Sequence, residues 1–326
     1  MVKPMNEQYG RQSPEIVTFG ESMGLFMPAS SKGIAYSSQF EKSFGGAESN
    51  VAIGVSRLGH TAGWFSQLGR DPFGTMIMKA LRSEGVDVSR VKYTSEAPTG
   101  LMFREVVAGK SSVYYYRRHS AASMMGPSDL DESYIAGAKL LHITGITPAL
   151  SPTCRETVLE AVRIAKKNGV KVCFDPNLRL KLWTLEEARP VLLELANEAD
   201  YFLPGLDELA LLYETEKFDE ILVKLKQLSA VCVIKGGGDR TYLLDAGELS
   251  EVPYFKAKQV VDTVGAGDGF CAGFLVGLLK GMSHAEAVRL GNLIGSMVVQ
   301  MEGDWEAIPT WEEAKAVLDN INHIER

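Results

Sequence analysis

Positive charge, paired cysteines and long apolar runs are all scarce in this chain of 326 residues. Thirty-four lysines and arginines against forty-one aspartates and glutamates leave a net charge of −7, so nucleic acid is not an expected partner. The four cysteines, Cys154, Cys173, Cys232 and Cys271, stand far apart with no CxxC spacing. That argues against a disulfide framework or a cysteine zinc site and points to a reducing cytoplasm. No apolar run approaches the ~20 residues that cross a bilayer, and the polar opening stretch MVKPMNEQYGRQSPE has no apolar centre of a signal peptide. A membrane partner is therefore not expected either. What is present, 45% apolar and 23% charged residues, suits a globular protein with a full core. The length suits one large α/β domain, or one domain with a small appendage.

Short apolar strands alternate with amphipathic helices along most of the chain, which predicts a mainly parallel sheet flanked by helices. Strands are expected at 16–20, 63–68, 140–144, 170–174, 201–203 and 231–234, and helices at 47–58, 74–84, 155–167 and 185–198. Gly59, Gly85 and Asn168-Gly169 serve as helix stops. One region breaks this rhythm. Residues 99–107 and 112–118, joined by Ala108-Gly109-Lys110-Ser111, predict an antiparallel hairpin. With part of 25–44 it would form either a small sheet acting as a lid over the carboxyl ends of the parallel strands or a plain edge hairpin.

The segment Asp262-Thr263-Val264-Gly265-Ala266-Gly267-Asp268-Gly269-Phe270 carries the most chemistry. Bare backbone at the start of an apolar helix offers free amides to an anion. Asp268 at the same mouth would repel a phosphate, so its use lies in acting on a hydroxyl about to be phosphorylated. Other phosphate motifs are absent. Gly109-Lys110-Ser111 has Arg104 where a P-loop needs glycine, and after Gly265 and Gly267 the third dinucleotide glycine is Phe270.

The segment 262–270 resembles the C-terminal signature of the ribokinase/PfkB family of carbohydrate kinases, and Gly45-Gly46-Ala47-Glu48-Ser49-Asn50-Val51-Ala52 resembles its N-terminal signature. Within that family the chain most resembles the 2-keto-3-deoxygluconate kinases. Tyr115-Tyr116-Arg117, Ser120-Ala121-Ala122-Ser123, residues 142–151, Asp175-Pro176-Asn177-Leu178-Arg179 and Gly303-Asp304 carry that likeness. The resemblance implies a ribokinase-like α/β fold, a single kinase domain over 1–326 and a small β-sheet lid from about 22–45 and 97–120. It implies ATP as cofactor and a small sugar acid as acceptor; because only Glu208 of the family's Asn-x-x-Glu motif survives, Mg²⁺ is expected to arrive with ATP rather than at a dedicated protein site. Lids in the family often pair, so a homo-oligomer is one arrangement it allows.

Residue by residue, the resemblance makes Asp268 the general base and the amides of Gly265, Ala266 and Gly267 the cradle of the transferring phosphate. Gly45, Gly46, Asn50, Tyr115, Arg117, Arg179 and Asp304 would contact the sugar. Asn177, Arg179, Lys235, Gly237, Asp239, Gly265, Gly267 and Asn292 would face the nucleotide. Tyr115 and Arg117 lie two apart on a strand and share a face, and a guanidinium there suits a carboxylate; a solvated tyrosine-rich strand is the plain alternative. For Arg179 the alternative is a surface salt bridge, and for Asn292 a packing role. The chain departs from the family at Gly205, where Asn is usual and only Glu208 of the motif survives. It departs also at Arg240 in place of Gly and at Met102 in place of Tyr. Another sugar kinase, such as a fructokinase, and a non-catalytic sugar- or nucleotide-binding regulator are the competing readings.

Overall fold

The computed structural model of the protein describes residues 13–107, 110–236 and 238–324. In chain order, β1 (Ile16–Phe19) leads through β2 (Met23–Pro28) and β3 (Phe40–Gly45) into α1 (Ala47–Arg57). Then come β4 (Ala62–Phe65), β5 (Gln67–Gly69), α2 (Pro72–Ser83), β6 (Lys92–Thr94), β7 (Leu101–Val107) and β8 (Lys110–Tyr116). Next are α3 (Glu132–Ala136), β9 (Leu140–Thr144), α4 (Ile146–Leu150), α5 (Pro152–Lys167), β10 (Lys171–Asp175), α6 (Leu185–Glu198) and β11 (Tyr201–Phe202). The chain closes with α7 (Leu206–Tyr213), α8 (Phe218–Leu225), β12 (Val231–Ile234), β13 (Arg240–Asp245), β14 (Glu248–Pro253), α9 (Ala266–Leu279), α10 (His284–Val298) and α11 (Trp311–Ile324).

The main sheet has the order β14-β13-β12-β11-β10-β9-β1-β4. Its strands from β4 to β12 run parallel, and β13 and β14 close one edge antiparallel. Alternate side chains feed two cores. Ile16, Leu140 and Cys173 pack with α1, α9 and α10 on one face, and Val17, Leu141 and Phe174 pack with α5 and α6 on the other. Both faces are thus covered, as parallel sheets require. Local chemistry sets the helix ends. Asp71 caps α2 by accepting from Phe73 and Gly74 amides, Thr184 and Glu187 form a capping box on α6, and Gly281 ends α9 at φ +71°.

A second sheet, β3-β2-β7-β8, stands apart from the first. Its β7–β8 pair is the expected hairpin, with β8 starting at Lys110; Ala108 and Gly109 lie outside the described residues. The expected strand 63–68 is two strands. Ala62–Phe65 joins the main sheet, while Gln67–Gly69 pairs with Lys92–Thr94 in a separate two-stranded sheet. The hydrogen-bond partner changes at Ser66, between the two strands, and no local signal carries that.

Helices α1 and α9 pack unusually closely. A Cβ on Gly54 would lie 2.6 Å from Cβ of Ala272, too near for any larger residue without movement. On the far side of α9, a Cβ on Gly273 would lie 3.0 Å from Cα of Gly291 in α10. Replacing Gly54 by Val should therefore destabilise the fold by roughly 1–3 kcal/mol, as overpacking does. A urea melt of Gly54→Val with an unchanged midpoint would contradict this contact.

Candidate functional site

The parallel strands end on one edge, and that edge carries the site. Just past β1 come Gly20 and Glu21. Past β10 the Asp175-Pro176-Asn177 turn follows, with Asn177 at φ +39° and its amide donating to Asp175 Oδ1 over 3.2 Å. This turn throws Leu178 and Arg179 across the sheet end. Lys235 follows β12. Helices α1 and α9 both begin here, so Asn50 and Asp268 lie one turn before Gly54 and Ala272 on their respective helices. The tight contact below brings them together above: Asn50 Nδ2 donates to Asp268 Oδ2 at 2.8 Å, while Asn50 Oδ1 is buried with no partner among the described residues.

Gly265 sets the entry to α9. Its φ of +76° is left-handed, and a Cβ there would lie 1.8 Å from the Asp304 carbonyl oxygen, so only glycine fits. Gly45 answers from β3, where a Cβ would lie 2.0 Å from Asp304 Oδ2. Asp304 is therefore wedged between the two glycine segments named from sequence. The Ala266 amide makes only a long, 3.4 Å bond, to the Thr263 carbonyl.

A cavity of about 470 Å³ brings most of the expected residues together. Gly45, Gly46, Asn50, Tyr115, Arg117, Asn177, Arg179, Lys235, Gly265, Gly267, Asp268 and Asp304 all line it. A second, mostly apolar cavity of about 320 Å³ is lined by Tyr254, Phe255, Phe270 and Val299 together with Ala266 and Asn292. Lys235 and Gly267 border both, so the two cavities adjoin at the glycine loop. Asn292 is buried, accepting from Thr241 Oγ1 at 2.7 Å and donating to the Val252 and Pro253 carbonyls. Asp239 borders neither cavity; its carboxylate pairs with Arg240 in solvent. Gly237 lies outside the described residues.

The cavity also holds residues that were not picked out as site residues from sequence. Glu21 and Arg104 line it, as do Asp175 and Glu208, which sequence reading had noted only within motifs. Met23, Leu25 and Met102 form one apolar wall. Glu21 was findable, because it directly follows the glycine that ends a parallel strand. The apolar cavity was not, since α9, α10 and the segment after β14 each contribute to it.

The charges are arranged in pairs. Arg104, on β7, holds Asp262 bidentately, with Nη2 and Nη1 each 2.7 Å from a carboxylate oxygen, and so ties the second sheet to the glycine loop. Arg117 is bound to fully buried Glu21. Burial alone would lower the pKa of Lys235, but Asp175, 2.8 Å away, and Glu208 raise it and keep the ammonium charged. Glu208 accepts the Leu178 and Gly205 amides, each at 2.7 Å. Burial, aided by Asp175 and Asp304, pushes Asp268 up to about 7, against the pull of Asn50 and Arg179. Burial and Glu306 likewise push Asp304 up to about 7. Among the described residues no group of three or more His, Cys, Asp or Glu side chains is disposed to hold a metal, and no helix is long and apolar enough to cross a membrane.

Residues 13–311 match the pfkB family carbohydrate kinase model. A 2-dehydro-3-deoxygluconokinase of Bacillus subtilis is 40% identical over 310 residues, covering 93% of this chain and 95% of that protein. Fructokinase-1 of Zea mays is 33% identical over 324 residues, covering 93% and 97%. The crystal structure of a PfkB protein from Polaromonas sp. JS666 superposes with a TM-score of 0.85 at 36% identity, covering 93% of this chain and 99% of that one. The chain belongs to the PfkB family of carbohydrate kinases.

Two raised carboxyls give a signed pH prediction. Each aspartate ionises near 3.8 when exposed and near 7 in the fold, so between those values the folded state holds the extra protons. Their contribution to stability is complete below about 4 and is lost as pH rises through 7. Asp268→Asn removes one of these groups. Its Tm should therefore gain on that of the wild type as pH rises from 5 to 8; a pH-independent difference would contradict the raised value.

Proposed function

We propose that the protein transfers the terminal phosphoryl group of ATP to the terminal hydroxyl of 2-keto-3-deoxygluconate, giving 2-keto-3-deoxy-6-phosphogluconate and ADP. The observation that carries this reading is the meeting of the two cavities at Gly267 and Lys235. The polar one contains Asp268 and three arginines, and the apolar one has the size and lining for a purine ring. Bound Mg²⁺, arriving with ATP, would neutralise phosphate charge; the donor set fits that role, because both Glu208 oxygens and Asp175 Oδ2 are already engaged by protein groups.

Asp268, oriented by Asn50, takes the proton of the acceptor hydroxyl as that oxygen bonds to the terminal phosphorus and the bond to the ADP oxygen breaks. Amides of Gly265, Ala266 and Gly267 hold the charge that builds on the phosphoryl oxygens, with Arg179 and Lys235 as nearby cations. Within a single kinase domain over 1–326, the second sheet with its flanking residues, about 22–45 and 97–120, serves as the lid that keeps water from competing as acceptor. Tyr115 and Arg117 grip the acid end of the sugar. The Met23, Leu25 and Met102 wall suits an acceptor with a methylene where other sugars carry a hydroxyl, since a hydroxyl pressed there would lack a partner. A fructokinase reading draws support from one observation, the neutralisation of Arg117 by Glu21.

An ADP-release screen of 2-keto-3-deoxygluconate, its galactonate epimer, fructose and ribose decides between them: a kcat/KM for fructose above that for the keto acids would overturn the acid-sugar reading. Asp268→Asn should lower kcat about 10²- to 10⁴-fold, the usual share of a general base, while ATP and sugar still bind by calorimetry. Because Asp268 must be ionised to act, kcat/KM of the wild type should fall as pH drops below about 7; a flat profile from pH 8 to 5.5 would argue for another base.

A further inference from the structure

Glu21 stands where the main sheet hands the chain to the second sheet, between β1 and β2, and its side chain is completely buried while bordering the sugar cavity. Its Oε2 accepts from Arg117 Nε at 2.6 Å and lies 2.5 Å from Nη2, and its Oε1 accepts from Ser120 Oγ. Backbone crowds it from two further sides. A Cβ on Gly100 would lie 2.8 Å from Oε1, and one on Gly46 would lie 2.3 Å from the Glu21 carbonyl oxygen. Buried and bonded through both carboxylate oxygens, Glu21 holds Arg117, which leaves the end of β8, in the orientation seen.

The side edge of the guanidinium, Nε with Nη2, is spent on Glu21. The end-on edge that includes Nη1 has no hydrogen-bond or ion-pair partner among the described residues, and the guanidinium lies 5.5 Å from the centre of the Tyr115 ring on a side chain that borders the cavity. A planar fork presents two edges, and a carboxylate can take either. The pair also has an electrostatic consequence. A carboxylate held in contact with Arg117 and buried with it cancels much of the field that an anionic ligand would feel.

We infer that Glu21 is a positioning residue with two opposed effects on acceptor choice. It aims the free edge of Arg117 into the cavity, and it limits how strongly that arginine favours an anionic sugar over a neutral one. The inference rests on the acid-sugar reading above and concerns selectivity within it. The two effects separate by substitution. Glu21→Gln keeps a carbonyl acceptor in the same volume but removes the opposing charge. Glu21→Ala removes both charge and aim.

Steady-state kinetics on 2-keto-3-deoxygluconate and on fructose, with each variant as full-length protein, test it. Glu21→Gln should lower KM for the acid relative to fructose by about five- to fifty-fold, the scale of one charge removed ~7 Å away at an effective dielectric of about 20. That gain should shrink as salt is raised. Glu21→Ala should instead raise KM for the acid with little change for fructose. Ser120→Ala, a milder change that loosens Glu21 alone, should raise KM for the acid several-fold and leave fructose within about twofold. It keeps the test decisive if the buried substitutions at Glu21 do not fold. Parallel changes for both sugars in the folded variants, or no change in Ser120→Ala, would mean that Glu21 only supports the fold, and the inference is overturned. A wild-type enzyme that phosphorylates fructose and not the keto acid overturns the acid-sugar reading itself, and the inference falls with it.

Discussion

Everything at this site depends on how closely two helices can approach. Gly54 on α1 faces Ala272 on α9 with no room for a larger side chain between them. Both helices start at the carboxyl edge of the main sheet, so the contact fixes the spacing of their first turns. Asn50 and Asp268 stand one turn up from it and share a 2.8 Å hydrogen bond. Two signatures more than two hundred residues apart become one site through this packing. The same closeness places the Gly45 and Gly265 backbones on either side of Asp304, each near enough that a Cβ would collide with it.

The second constraint is electrostatic. The cavity gathers Glu21, Asp175, Glu208, Asp268 and Asp304 in little volume, more carboxylates than burial readily keeps ionised. Lys235 compensates Asp175, Arg117 compensates Glu21, and Arg104 compensates Asp262 at the rim. Among the described residues Asp268, Asp304 and Glu208 have no ion pair of their own; burial raises all three, Asp268 and Asp304 up to about 7. A proton acceptor near neutrality thus follows from leaving one carboxylate without a cation, while an amide holds it in place. Both arginine pairings also join elements of the second sheet to the main domain, so two of the groups that balance charge also set where that sheet sits.

The alternation of apolar strands and amphipathic helices was readable from pattern because both faces of the main sheet are buried and each helix has its own stop. The 185–198 helix was placed to the residue, as its Thr184–Glu187 capping box is local. The strand at 63–68 was misread as one element because its second half finds its partner some twenty-five residues onward. Likewise Arg117 looked free in the sequence. Nothing near it along the chain announces Glu21, ninety-six residues earlier, as its buried partner.

By itself the sequence determined the class of fold, the two glycine-rich helix entries and the carboxylate beside one of them, because periodicity, missing side chains and helix starts are local properties. It also carried the family, since those short motifs are local. Only the tertiary structure decided which charges would meet, which carboxyls would be left to titrate near neutrality, and how the apolar cavity would be walled. Those outcomes depend on distances between segments remote in the chain, and burial, which multiplies every electrostatic effect, exists only once the chain has folded.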